Sequence, residues 1–423
     1  MKKVFVAILI LFSLLFSLCS FSGTDHEPGA EPWEEEVSPA LSAGEEEDLP
    51  DEPALSDAAE DTDETLPAES ETLPEDDSLS QPEETAAEEL ESRRDRSGIP
   101  ESFWMAMDGS LDYIQEYVDS HPNSFAFPVI TDVHTSFEWN EPNYLAWSKP
   151  DLFPVFLFLG DMTTGYTESQ FEGAVDYMRG ATGQKLLVSI GNHDFGVVNG
   201  LDNCWVEGDP LPKEWWIPLL ESDCVFCEGD NTLTYYWDDV ENKVRYIMMD
   251  SNSTMLRPNG VQLFTMSNLN WLASVLESSG DKDIIVLNHA IGGNLYLVTD
   301  TEKTALKDST GITNIEIFNS ILLAYKDKTS ISLEVDGVSQ EHDFSEASGD
   351  LIGYITGHYH NAGHDDSAGF NKWTCNALTR KGGASRQSYK GLSFFIIDKD
   401  LHKVIFLVVR YQNPEYEVYE YSY

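Results

Sequence analysis

The stretch Gly191-Asn192-His193-Asp194 sets a neutral amide, an imidazole and a carboxylate side by side. It follows residues 185–190, an apolar run rich in Leu, Val and Ile that predicts a buried strand. Gly191 lets the chain turn sharply, so the polar residues stand at the strand's C-terminal end, where open α/β sheets place their ligand sites. Other apolar runs end in the same residue types. Asp132-Val133-His134 follows residues 125–131, and Gly160-Asp161 follows residues 155–159. Asn288-His289 follows residues 284–287, and Gly357-His358-Tyr359-His360 follows a run ending at Thr356. Five of the ten histidines fall in these motifs, so the imidazoles are concentrated where strands end rather than scattered.

The elements that must position them read as alternating strands and helices. Trp104, Met107, Leu111, Ile114 and Val118 recur at helical spacing and predict a helix over 99–118. Strands are expected at 125–131, 155–159 and 185–190, with a helix at 171–178 between the last two. Further buried strands are expected at 244–249, 284–287 and 350–356, with a helix around 269–276. Residues 392–397 and 404–409 flank Asp398–Asp400 and predict a terminal hairpin, and Asp336-Gly337 predicts another turn of that kind. The alternation suggests β–α–β units and a largely parallel sheet.

The motifs in chain order resemble the calcineurin-like metallophosphoesterase superfamily, whose pattern runs DxH, GDxx, GNHD, a strand ending in His, and GHxH. The match covers roughly residues 125–360. Five motifs in order, each after a strand, are far more specific than GD or GHxH alone. The resemblance implies a four-layer α/β/β/α sandwich of two mixed sheets, with a dimetal site at strand C-terminal ends. It implies that Asp132, His134 and His360 hold one metal, that Asn192, His289 and His358 hold a second, and that Asp161 bridges them. The mixed nitrogen and oxygen donors suit Mn, Fe or Zn better than Ca or Mg. The implied activity is hydrolysis of a phosphate ester by a metal-bridging hydroxide. His193 is left over after the ligands are assigned, and the matching residue of the family faces substrate and protonates the leaving oxygen. Asp194 is a candidate to orient it. The chain also departs from the family's branches. Ala290, Ile291 and Gly292 follow His289 where a Pro is common, and Thr164 stands where purple acid phosphatases have Tyr.

The N-terminus carries a different message. Lys2 and Lys3 precede an apolar run through Cys19, which suits an export signal spanning residues 1–22. Cleavage after Ser22, lipidation at Cys19 and an uncleaved anchor are the open alternatives. Each puts the chain outside the cytoplasm, secreted or at the cell surface, and any membrane contact runs through this anchor. Residues 24–92 hold 27 Asp and Glu with no Lys or Arg. Such a segment cannot bury enough apolar surface to offset its ordering entropy, so 23–97 reads as a disordered acidic spacer and 98–423 as the metallophosphoesterase domain. Net charge is −50. Of the 75 acids 28 precede Ser97, and of the 25 bases five do, which leaves 47 against 20 in the domain. With no basic stripe, nucleic-acid binding by charge is excluded.

Bland readings win elsewhere. His342 and His364 read as satisfied polar residues. Trp215, Trp216, Tyr235, Tyr236 and Trp237 read as packing rather than as a substrate cleft. Cys204, Cys224, Cys227 and Cys375 suit a disulfide or buried thiols in an exported chain. Residues 299–348 are expected to cap one edge of the site. Two function classes follow: a hydrolase of phosphate esters, or a surface binding protein on a degenerate phosphoesterase scaffold. The complete ligand set favours the hydrolase, since a decayed site would have lost at least one position.

Overall fold

The computed structural model describes residues 100–134, 149, 151–162, 185–192, 194, 223–228, 232–251, 262–290, 295–297, 305–306, 312–378 and 391–423. These lie in the unit Asp77–Tyr423. The expected signal, the spacer, the helix at 171–178, Trp215, Trp216, Cys204 and His193 lie outside the described residues.

In chain order the elements are α1 (Glu101–Ser120), β1 (Ser124–Ile130), β2 (Val155–Leu159), β3 (Lys185–Ser189), β4 (Val225–Phe226), β5 (Tyr235–Asp239), β6 (Val244–Met248) and β7 (Gln262–Leu263). Then come α2 (Met266–Glu277), β8 (Asp283–Leu287), β9 (Leu295–Leu297), β10 (Ala305–Leu306), β11 (Ile312–Thr313), α3 (Ile315–Lys326), β12 (Ser330–Val335) and β13 (Val338–Asp343). The chain closes with β14 (Leu351–Thr356), β15 (Gly363–Asp365), β16 (Lys372–Thr374), β17 (Gly391–Asp398), β18 (Lys403–Arg410) and β19 (Glu417–Ser422).

Two mixed sheets carry the fold. The first runs β19-β18-β17-β1-β2-β3 and the second β10-β9-β15-β16-β14-β8-β6-β5-β4. The expected parallel pairing holds for β1-β2-β3 and for β6-β8-β14-β16. The flanks are antiparallel, because β17, β18 and β19 are joined by hairpins and return alongside β1. Strands β2, β6, β8 and β14 are buried at every position, as strands covered on both faces must be.

Aromatic contacts fix the layer order. Phe127 of the first sheet meets Tyr246 of the second edge-on at 5.9 Å, and Phe395 meets Trp373 at 5.6 Å. Helix α1 lies on the first sheet's other face, where Phe103 packs on Tyr411. Helices α2 and α3 cover the far face of the second sheet through a cluster including Leu269, Leu272, Phe318, Leu322 and Tyr354. The four layers α/β/β/α match the expectation. The hydroxyl of Tyr235 on β5 donates to the Val188 carbonyl and accepts from the Val188 N–H, both at 2.8 Å. A side chain of the second sheet thus satisfies the backbone of β3, the outermost strand of the first.

Several local signals hold. Asp336 and Gly337 have φ of 53° and 78° in a two-residue turn joining β12 to β13, the conformation that favours this dipeptide in hairpins. Thr265 caps α2 by accepting from the Asn268 N–H at 3.0 Å. Of the expected site cap, β10 pairs with β9 at the edge of the second sheet, and α3 with the β12–β13 hairpin packs in the cluster on that sheet's outer face. Helix α3 runs down the outer face until the Tyr325 hydroxyl reaches the Gly349 carbonyl, before the N-terminal end of β14. Cys224, Cys227 and Cys375 are buried. Among the described residues no helix is long and apolar enough to cross a membrane.

Candidate metal centre

Five of the parallel strands, β1, β2, β3, β8 and β14, end in a motif. Asp132 and His134 follow β1, Asp161 follows β2 and Asn192 follows β3, so three neighbouring strands of the first sheet deliver them. His289 follows β8, and His358 and His360 follow β14, its neighbour in the second sheet. Hydrogen bonds continue past the strand ends: Asp132 N–H to the Gly160 carbonyl, His134 N–H to the Asp161 carbonyl and Gly357 N–H to the His289 carbonyl.

The loops touch so closely that three motif glycines, Gly160, Gly191 and Gly357, have no room for a side chain. A Cβ on Gly191 would overlap the Asp161 carboxylate, and one on Gly357 would overlap the Thr131 hydroxyl of the facing sheet. The ligand residues bend the backbone as well. Asp132, His134, Asp161, His358 and His360 all have φ between 48° and 71°. Left-handed backbone is uncommon outside glycine, and its concentration here marks a functional site.

The side chains converge in two groups. Asp132, His134, Asp161 and His360 form the first, and Asp161, His289 and His358 the second, so Asp161 belongs to both. In the first group His134 Nε2 lies 3.1 Å from His360 Nε2 and 3.4 Å from Asp161 Oδ2. His360 Nε2 lies 3.2 Å from Asp132 Oδ1. In the second, His289 Nε2 lies 3.3 Å from Asp161 Oδ2. Asn192 Oδ1 joins it, 3.0 Å from His289 Nε2 and 2.9 Å from His358 Nδ1. The seven expected ligands are therefore together. His193 lies outside the described residues.

The donor chemistry fits transition metals. Asp132 Oδ1 is buried with no hydrogen-bond partner, while Oδ2 accepts from Thr131 Oγ1 and the His358 N–H. One oxygen is anchored and the other aims at the imidazoles. His289 Nδ1 sits 2.6 Å from the Leu159 carbonyl, which accepts only, so Nδ1 carries a proton and Nε2 is the nitrogen turned to Asp161. Burial works to raise the Asp132 pKa, but the His360 imidazole beyond it holds the carboxyl at about 2. Burial works to lower His289 and His360; Asp161 lifts His289 to about 10, and Asp132 raises His360.

Asp194 Oδ2 accepts from the Asp161 N–H at 2.7 Å and the Gly191 N–H at 2.9 Å, so this buried carboxylate ties the GD loop to the GNHD loop. Thr131, absent from the sequence reading, anchors Asp132. Its signal was its place beside the DxH aspartate at the end of an apolar run. His342 and His364 are indeed occupied elsewhere, by Asn270 and Glu277 and by Asn371. Tyr236 packs on Trp271 and Trp237 on Tyr246.

No family model and no curated protein matches the chain. Solved structures do. The purple acid phosphatase PPD1 from yellow lupin (Lupinus luteus) seeds is 10% identical with a TM-score of 0.41, covering 71% of this chain and 54% of its own. This chain thus spans about half the length of the lupin protein. PhoD is 9% identical with a TM-score of 0.42, covering 71% and 70%. GAP50, the anchor in the inner membrane complex of Plasmodium, is 12% identical with a TM-score of 0.39, covering 71% and 88%. The solved structures found include phosphoesterases of the calcineurin-like metallophosphoesterase fold, the group whose motif order this chain resembles.

Proposed function

We propose that the chain is an exported phosphoesterase with a dinuclear metal centre. The observation that carries this is the convergence of seven ligand-type side chains from five strand ends, with the Asp161 carboxylate shared between the two groups. Asp132, His134 and His360 would hold one divalent transition metal (Mn, Fe or Zn), and Asn192, His289 and His358 the other. Bound there, such metals would supply Lewis-acid polarisation of the phosphoryl oxygens and a water acidic enough to attack phosphorus.

The protein's own part is electrostatic and positional. Two carboxylates among seven ligands leave the loaded centre positive, so a phosphate group is attracted despite a chain of −50. Asp194 and Thr131 hold the Asp161 peptide and the Asp132 carboxylate in place. His193 is the proposed proton donor to the leaving oxygen. The N-terminal signal supports action outside the cytoplasm, with residues 23–97 spacing the domain from the point of attachment or cleavage.

The full chain, stripped with chelator and reloaded with Mn²⁺ or Zn²⁺, should hold close to two metals by elemental analysis and hydrolyse nitrophenyl phosphate mono- or diesters. Finding no metal after loading would sink the reading. Two bound metals with no turnover across mono- and diesters would favour a binding protein instead. His193→Ala should keep both metals and lose ~10²–10⁴-fold in kcat, most for poor leaving groups.

A further inference from the structure

The turn after His289 lacks the proline common in similar proteins, yet it is not slack. The Ala290 carbonyl accepts from the Tyr354 hydroxyl at 2.7 Å and from Asn288 Nδ2 at 2.9 Å. The same amide reaches the Ser251 hydroxyl at 2.9 Å and Tyr354 oxygen at 3.2 Å. All four residues are buried, on strand ends or in strands of the second sheet. A carbonyl only accepts, so Ala290 selects the NH₂ end of Asn288. The other end, Oδ1, is left buried with no hydrogen-bond partner. A buried amide oxygen left unsatisfied is a net cost to stability. A core chosen for stability alone would place an apolar residue there. The arrangement instead fixes the peptides on either side of His289, whose own carbonyl accepts from the Gly357 N–H at 2.8 Å.

We propose that Asn288 and Tyr354 are positioning residues for His289, acting through the Ala290 carbonyl to hold its imidazole at the metal pocket it shares with Asn192 and His358. Neither touches the proposed metals. Their effect should fall mainly on one pocket, because these hydrogen bonds of the Asn288 and Tyr354 side chains reach Ser251, Ala290 and each other, on or beside the turn of His289, and not the side chains of Asp132, His134 or His360. The proposal rests on the two-metal reading and sharpens it.

The test is Mn²⁺ binding to the full chain by titration calorimetry, with X-band electron paramagnetic resonance to tell a coupled pair from a single ion. Wild type should bind two Mn²⁺ and show the coupled signal. Tyr354→Phe should weaken one site by ~10–100-fold, the usual effect of losing an outer partner, and leave the other within about twofold. At limiting Mn²⁺ its spectrum should be that of an isolated ion. Asn288→Ala should show the same split with a smaller weakening, since Tyr354 still holds Ala290; it also serves if Tyr354→Phe does not fold. Circular dichroism melting separates a general loss of stability from the site-selective one. Both affinities unchanged, or both falling together, would overturn the proposal. Wild type that binds no Mn²⁺ overturns the two-metal reading and this inference with it.

Discussion

The two pockets share Asp161 but are held by different means. Asp132, His134, Asp161 and His360 all stand on left-handed backbone, and the His360 side chain keeps 33% of its surface exposed. In the other pocket His289 is fully buried on ordinary backbone, its imidazole tied to Leu159 and its turn held by Asn288 and Tyr354. Left-handed residues cost on the order of 1–3 kcal/mol each and persist only where the surroundings over-determine them. The first pocket is thus a strained set of loops that close packing, around Gly191 and Gly357, forces into shape. The second shares that strain at His358, with φ 71°, but its His289 and the turn after it are braced by side chains. Vulnerability follows: the first should break through its loops, and the second through side chains that never approach a metal.

Replacing the shared residue removes the contrast altogether. Asp161→Ala should empty both pockets and abolish turnover, as elemental analysis and an ester assay would show; one metal retained would mean that Asp161 serves a single pocket. His289→Ala and His360→Ala should each lower the stoichiometry from two to one. Only His289→Ala should also destabilise the fold, by about 1–3 kcal/mol in denaturant melts, because it empties a fully buried side-chain position and removes one of the two donors, with Thr131 Oγ1, to the Leu159 carbonyl. Equal stability of the two variants would erase the distinction between braced and exposed pockets. Asp194→Ala should weaken both metals by ~10–100-fold through loss of the carboxylate oxygen that accepts from the Asp161 and Gly191 N–H groups. Asp194→Asn, which keeps an accepting oxygen, should restore most of that affinity; metals unaffected by the alanine change would assign Asp194 to orienting His193. Deleting residues 24–92 should change neither pocket nor the melting temperature, and a fall in either would show that the spacer docks on the domain.

Much of this was legible in the sequence because burial on both faces leaves unmistakable runs. VFLFL and KLLVS were read as strands to within a residue of β2 and β3, and the motif residues after them fell into place. Edge strands left no such mark. In β19, Glu417–Ser422, partly buried and exposed residues alternate, and charged and aromatic side chains mix, so a short alternation of this kind went unread. The antiparallel flank was hidden for another reason. The neighbour of β1 on that side is β17, where Ser124 faces Asp398, and no local pattern announces a partner so distant in the chain. Left-handed backbone at Asp132 or His360 was equally invisible, since neither residue is glycine. Tyr354 carries no motif; it sits in an apolar strand, and only the fold brings its hydroxyl to Ala290.

The pairing of β1 with β17 also sets a clock. A ribosome makes the chain from its N-terminus at roughly 5–20 residues per second, so β1 waits tens of seconds for its partner. Until then Phe125 and Phe127 have no strand beside them on that side, and the loop bearing Asp132 and His134 has no frame. Any nascent chain shorter than β17 lacks the strand that completes the first sheet, however many ligand residues it already contains. Under the proposed reading, metal loading would be a late event reserved for finished chains, and a C-terminal truncation before residue 391 should be apo and aggregation-prone rather than merely weak.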